Sequence, residues 1–196
     1  MKRKLGLIGV LYAAILAAIA GYFFRTAQLS GGSSVPVVAF SVLMVLVFAL
    51  AAVSLEKHAA YAEVYSPCRQ DLAFSLLGAA AVLRQKGQKP SAAFYVFAVL
   101  FYVAKLFRDF RHWEINPAIG DYCFSLFAMI SFMLASYYAG AFSFDRGARR
   151  RLSFFSLTGV LFGAISLAGA GLSELLIYAG SLFWMLACAQ QMMKKP

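Results

Sequence analysis

Apolar positions in this chain come in long unbroken runs rather than in the stripes of a surface helix or the alternation of a half-buried strand. Leu5 to Phe24, Val37 to Leu55, Tyr122 to Phe144, Leu152 to Ser173 and Leu175 to Met193 contain no Asp, Glu, Lys, Arg or His. Each matches the roughly 20 residues a helix needs to cross a hydrocarbon core. A sixth segment, Pro90 to Phe107, is uncharged until Lys105, whereas Leu72 to Leu83 is only twelve apolar residues between Asp71 and Arg84. That length suits an interfacial or re-entrant helix, started by Ser66 and Pro67 and ended by Gly87. No barrel-type alternation is present.

The pattern predicts an all-α, polytopic membrane bundle in one domain over 1–196. Six transmembrane helices are expected over about 5–24, 36–55, 91–110, 121–143, 152–171 and 174–193, with one short helix over 67–86. The alternative is seven transmembrane helices, with 67–86 also crossing. Placing the Lys and Arg residues arbitrates. Six crossings with a cytoplasmic N-terminus put 14 of the 18 inside, including Arg146, Arg149, Arg150 and Arg151, whereas seven crossings split them 10 against 8. The six-span arrangement, with both termini on the cytoplasmic face of the plasma (inner) membrane, is preferred. Lys2-Arg3-Lys4 followed by an apolar run and Ala18-Ile19-Ala20 resembles a signal peptide, but the run continues through Phe24 and reads as an uncleaved first helix.

Composition agrees. At 62% hydrophobic and 13% charged, the chain cannot cover itself with polar surface as a soluble globule does. The net charge of +10 lies between apolar runs, where it orients helices and meets anionic head groups; no nucleic-acid partner is expected. The three cysteines, Cys68, Cys123 and Cys188, form no CxxC pair, so neither a disulfide framework nor a metal site is indicated, and no cofactor is expected. Cys68, beside a membrane surface, is a candidate for acylation.

Small residues mark helix contacts, because close backbone approach replaces the hydrophobic drive that lipid removes. Gly9, Ala13, Ala17 and Gly21 recur every four residues in the first helix. Gly159 and Gly163 make a GxxxG in the fifth span, continued by Ser166 and Ala170. Both stripes predict internal packing, with homo-oligomerisation as the alternative. Gly169, Gly171 and Ser173 predict a tight turn that makes the last two spans a hairpin.

The densest polar cluster surrounds the turn after the third span: Lys105, Arg108, Asp109, Arg111, His112, Glu114, Asn116 and Asp121. Positions 105, 108, 109 and 112 share a helix face. A lysine this far inside an uncharged span must be paired, hydrated or serving a ligand. In one reading Lys105 pairs with Asp109 while Arg108 and Arg111 reach head groups. In the other, Lys105, Arg108, Arg111, Asp121 and Glu174 form an outward-facing site for a small anionic solute. Arg149, Arg150 and Arg151 are expected to fix topology and contact anionic lipid, with an acidic protein partner as the sharper alternative. Phe94, Tyr95, Phe97, Phe101 and Tyr102 read as lipid-facing or packed.

No enzyme is indicated. The two histidines form no HExxH, and Ala118-Ile119-Gly120-Asp121 only superficially resembles the GxGD of intramembrane aspartyl proteases, since Ala118 replaces the first glycine. In size, six-span topology with both termini inside, and alanine-rich first helix, the chain resembles the substrate-binding subunits of energy-coupling-factor vitamin transporters, which would imply solute capture or transport. The competing expectation is a non-transporting membrane scaffold, sensor or regulator acting through its basic cytoplasmic face.

Overall fold

The computed structural model describes residues 2–55, 92–113 and 119–193. The short helix expected over 67–86 and Cys68 lie outside the described residues. Within them the chain is helical, with no strand: α1 Lys2–Leu29, α2 Val35–Val53, α3 Ala92–Trp113, α4 Ile119–Ala141, α5 Arg149–Leu167 and α6 Leu172–Met193. A 3-10 turn at Phe142–Phe144 joins α4 to α5.

Four of these helices, α1, α2, α4 and α6, contain stretches long and apolar enough to cross a membrane. The distribution of side chains fits that setting. Large apolar groups point outward, among them Leu50 at 73% exposed and Phe97 at 72%. Small and hydroxylic residues lie inside, including Ala14, Ala128, Ser136 and Ser153. In water so much exposed apolar surface would drive aggregation; in lipid it costs nothing.

Helix α5 is the axis of the bundle, packed by α4, α6, α1 and α2. Fourteen of its nineteen residues are buried, against four of nineteen in the peripheral α2. Gly159 and Gly163 make that centrality physically feasible. A Cβ on Gly163 would stand 2.8 Å from Phe132 Cζ, and one on Gly159 would stand 3.1 Å from Phe132 Cδ1, so the GxxxG receives an aromatic ring of α4. Gly169, at φ +83°, supplies the left-handed turn into α6, and the last two helices form the expected hairpin.

In α1 the buried line is Ala14, Ala17, Ala18, Gly21 and Arg25, not the expected Gly9, Ala13, Ala17, Gly21. Ala17 and Gly21 face the core, but Ala13 and Gly9 are exposed, and a Cβ on Gly9 would meet nothing within 4 Å. At about 100° per residue, each four-residue step drifts by about 40°, so a strict every-four stripe rotates off any straight partner within three steps.

Helix directions alternate. Arg150 bonds the carbonyl of Leu55 just past α2, and Arg149 bonds that of Met192 in the last turn of α6. The start of α5 therefore lies with the ends of α2 and α6 and, through Ala141 and the 3-10 turn, the end of α4. Tyr95 stacks on Trp184 near the start of α3, and Tyr102 bonds Ser181 further along. Helix α3 thus runs antiparallel to α6, starting at the same basic end where α2 stops. At the far end Arg25 of α1 meets Phe124 of α4.

Candidate functional site

The basic end is built by the turn between α4 and α5. Asp145 adopts a left-handed conformation at φ 55°, and the Phe142 ring, 1% exposed, lies directly against Gly147, leaving no room for a side chain there. The chain is thereby reversed and starts α5 at Arg149.

Three successive arginines at a helix N-terminus oppose that helix's own dipole. Their placement makes sense because two of them serve other helices. Arg149, 3% exposed, donates its Nε–H to Met192 O at 2.6 Å. Arg150 donates its Nε–H to Leu55 O at 2.5 Å. Arg149 thus meets a last-turn carbonyl of α6, which has no intrahelical donor, and Arg150 a carbonyl just beyond the C-terminus of α2, each near the negative end of a helix dipole. Arg151 lies over the Tyr138 ring, 5.6 Å from its centroid, with Nη1 3.5 Å from the phenol oxygen. Arg146 is exposed.

Beside these arginines a cavity of about 1020 Å³ opens between α3, the end of α4 and the start of α5. Tyr95, Val96, Val99 and Leu100 form its α3 wall, and Tyr137, Tyr138 and Ala141 its α4 wall. Arg146, Arg150 and Arg151 also line it, and no carboxylate is among the described lining residues. Its volume lies at the upper end of the roughly 300–1,000 Å³ typical of small-molecule sites.

The far end holds the expected ligand cluster, in a different state. Lys105 Nζ and Asp109 Oδ2 are 2.7 Å apart, with the two side chains 11% and 12% exposed. Arg108 and Arg111 are exposed and Glu174 is half-buried on α6. Asp121 stands in the first turn of α4, its side chain outside the described part, as are residues 114–118 of the turn. Tyr178, 2% exposed, hydrogen-bonds Ser125 and lies within electrostatic reach of both Glu174 and Asp109. The structure therefore brings Asp109, Lys105, Tyr178 and Glu174 to one region, while Arg108 and Arg111 remain at the surface.

No protein-family model, curated protein or solved structure matches this chain.

Two features escaped the sequence reading. Tyr95 and Tyr102, seven residues apart on α3, meet Trp184 and Ser181 of α6, and Asp109, seven further on, lies within electrostatic reach of Tyr178. That period was available as the signal. Arg25, just past the expected first span of 5–24, is 6% exposed within α1, its guanidinium 5.4 Å from the Phe124 ring centroid and hydrogen-bonded to Gln28 Oε1 at 2.7 Å. A long aliphatic stem and a cation–π contact keep it inside the bundle.

Proposed function

We propose that this chain is a six-span membrane protein, both termini cytoplasmic, that works as a binding or regulatory protein by recognising an anionic partner at its basic end. The observation that carries this reading is that Arg146, Arg150 and Arg151 all line one cavity that has no acidic residue among its described lining residues. The return of the chain to the basic end at α3, after leaving it at the end of α2, supports six crossings over seven. A single crossing between them would put those two termini at opposite ends.

Outward solute capture through Lys105 is the weaker reading, since the lysine already has Asp109 at 2.7 Å. One experiment separates the two. Purified protein in neutral detergent is melted with added anionic lipid or with inorganic phosphate. A parent is compared with Arg146→Gln/Arg151→Gln and with an exchange of Lys105 and Asp109. The expected result is that anionic lipid raises the melting temperature of the parent and of the exchanged protein but not of the arginine variant. Stabilisation by phosphate that survives the arginine changes and vanishes on the exchange would restore the outward-capture reading and overturn this one.

A further inference from the structure

We infer that the cavity between α3 and α4 is a lipid site, taking an amphiphile with an anionic phosphate head group and an alkyl chain. This rests on the basic-end reading and goes beyond it by naming the ligand and where its two halves lie.

The head-group side is defined by the three guanidiniums. Arg150 is oriented by its Nε–H bond to Leu55 O, a bond that does not engage its two terminal NH₂ groups. Arg151 is held loosely, at 3.5 Å from the Tyr138 hydroxyl, near the limit of a hydrogen bond. Arg146 is exposed at the rim. Guanidinium groups match phosphate by paired N–H donors, the geometry in which arginine is strongest. Because the cluster stands at the end of α4 and the start of α5, it lies where the bundle meets head groups, one face of the bilayer.

The chain side is defined by the opposite wall. From Ala92 to Leu100 the cavity follows α3 for about 12 Å, at 1.5 Å per residue, along Val96, Val99 and Leu100. Val96 and Leu100 are themselves 54% and 57% exposed, so this wall opens sideways onto the surface that faces lipid. A soluble anion would leave that apolar trough wet, and an acidic peptide would bring unpaired backbone polar groups into it, which a hydrocarbon setting penalises. An alkyl chain satisfies it. The void is also far larger than a phosphate group alone requires.

The test uses the full chain in neutral detergent, with native mass spectrometry reading bound phosphatidic acid against phosphatidylcholine, and inorganic phosphate as competitor. Val99→Trp fills the trough from α3 and Ala141→Leu fills it from α4; Arg151→Gln removes a head-group donor. Melting temperature without lipid identifies which filled variants retain the fold, and two fillers on different helices keep the test available if one does not. The expected result is a single bound phosphatidic acid. A folded filler and Arg151→Gln should each weaken it about tenfold or more, the equivalent of one charge-assisted hydrogen bond or one displaced chain contact, with no competition from inorganic phosphate. Retention that depends on Arg151 but is unaffected by a folded filler would mean head groups held on the surface: the lipid site falls while the basic-end reading stands. Equal displacement by inorganic phosphate would overturn the lipid assignment in favour of a soluble anion. Binding indifferent to both kinds of change would overturn the site and the basic-end reading together.

Discussion

The bond between Tyr102 and Ser181 joins α3 to α6 across 79 residues of sequence, 2.8 Å long and buried at both ends. Its two single substitutions should have unequal effects. In Tyr102→Phe the ring remains against Phe132, 5.6 Å between centroids, so only the hydroxyl is lost. Ser181 is then free to turn its proton to a carbonyl four residues back. Ser41 does this on Val37 O and Ser136 on Phe132 O. The cost should be that of one neutral hydrogen bond between membrane helices, about 0.6 kcal/mol and at most about 1.7. In Ser181→Ala the phenol is left behind, 5% exposed, on a side chain too rigid to reach its own backbone. An orphaned buried hydroxyl costs about 1–3 kcal/mol. Adding Tyr102→Phe to Ser181→Ala removes the orphan, so the double variant should be more stable than Ser181→Ala alone and close to Tyr102→Phe. Equilibrium unfolding by SDS in mixed micelles, on the parent and three variants, measures the cycle. Strict additivity, or a Ser181→Ala cost no greater than that of Tyr102→Phe, would refute the reasoning.

Gly163→Ala should destabilise by about 1–3 kcal/mol through overpacking, because its Cβ would meet the Phe132 ring at 2.8 Å. Gly9→Ala, with nothing within 4 Å, should stabilise by about 0.5–1 kcal/mol through helix propensity; equal effects in the same unfolding assay would contradict the packing described. In a background with Cys68, Cys123 and Cys188 replaced, a cysteine at Ser173 should react with an impermeant maleimide in intact cells and one at Arg146 should not. Reaction at Arg146 from outside would reverse the proposed orientation. Exchange of Lys105 with Asp109 should leave the unfolding midpoint near the parent's, whereas Lys105→Ala alone should cost about 1–3 kcal/mol as a charge-assisted bond is lost; equal costs would mean that the pair contributes nothing.

The helices among the described residues were legible, to within a few residues at each end, because lipid imposes a length on each apolar run, and the hairpin of α5 and α6 because glycine marks the turn. Local pairing was legible too: Lys105 and Asp109 are four apart, and a helix brings that spacing together. What the sequence hid are contacts between distant segments. Arg149 and Arg150 read as part of a basic block facing anionic lipid, since they fall in a run of arginines before an apolar span. Their partners are carbonyls 43 and 95 residues away, and a backbone oxygen leaves no trace in the residue type that carries it. The cavity was hidden for the same reason, as its walls come from α3, α4 and α5. The seven-residue spacing of Tyr95 and Tyr102 was visible, but only the position of α6 shows that both reach across to it.

The position of α5 follows from a physical constraint that runs opposite to the one in water. A helix bearing Arg149, Ser153, Ser156, Thr158 and Ser166, all at most 8% exposed, is poorly suited to face hydrocarbon, and it is not among the four apolar enough to span on composition alone. In a soluble domain such a helix would migrate to the surface. Here the surface is apolar, so the most polar transmembrane-length helix is driven to the centre and the most apolar, α2, to the rim. The arginines that begin α5 then lie among the C-termini of its neighbours, where their charge is favourable to α2 and α6 although unfavourable to α5 itself. The same arrangement leaves Arg146 and Arg151 lining the cavity between α3 and α4. Core polarity and the gathering of arginines at the basic end are thus two results of one partition between lipid and protein.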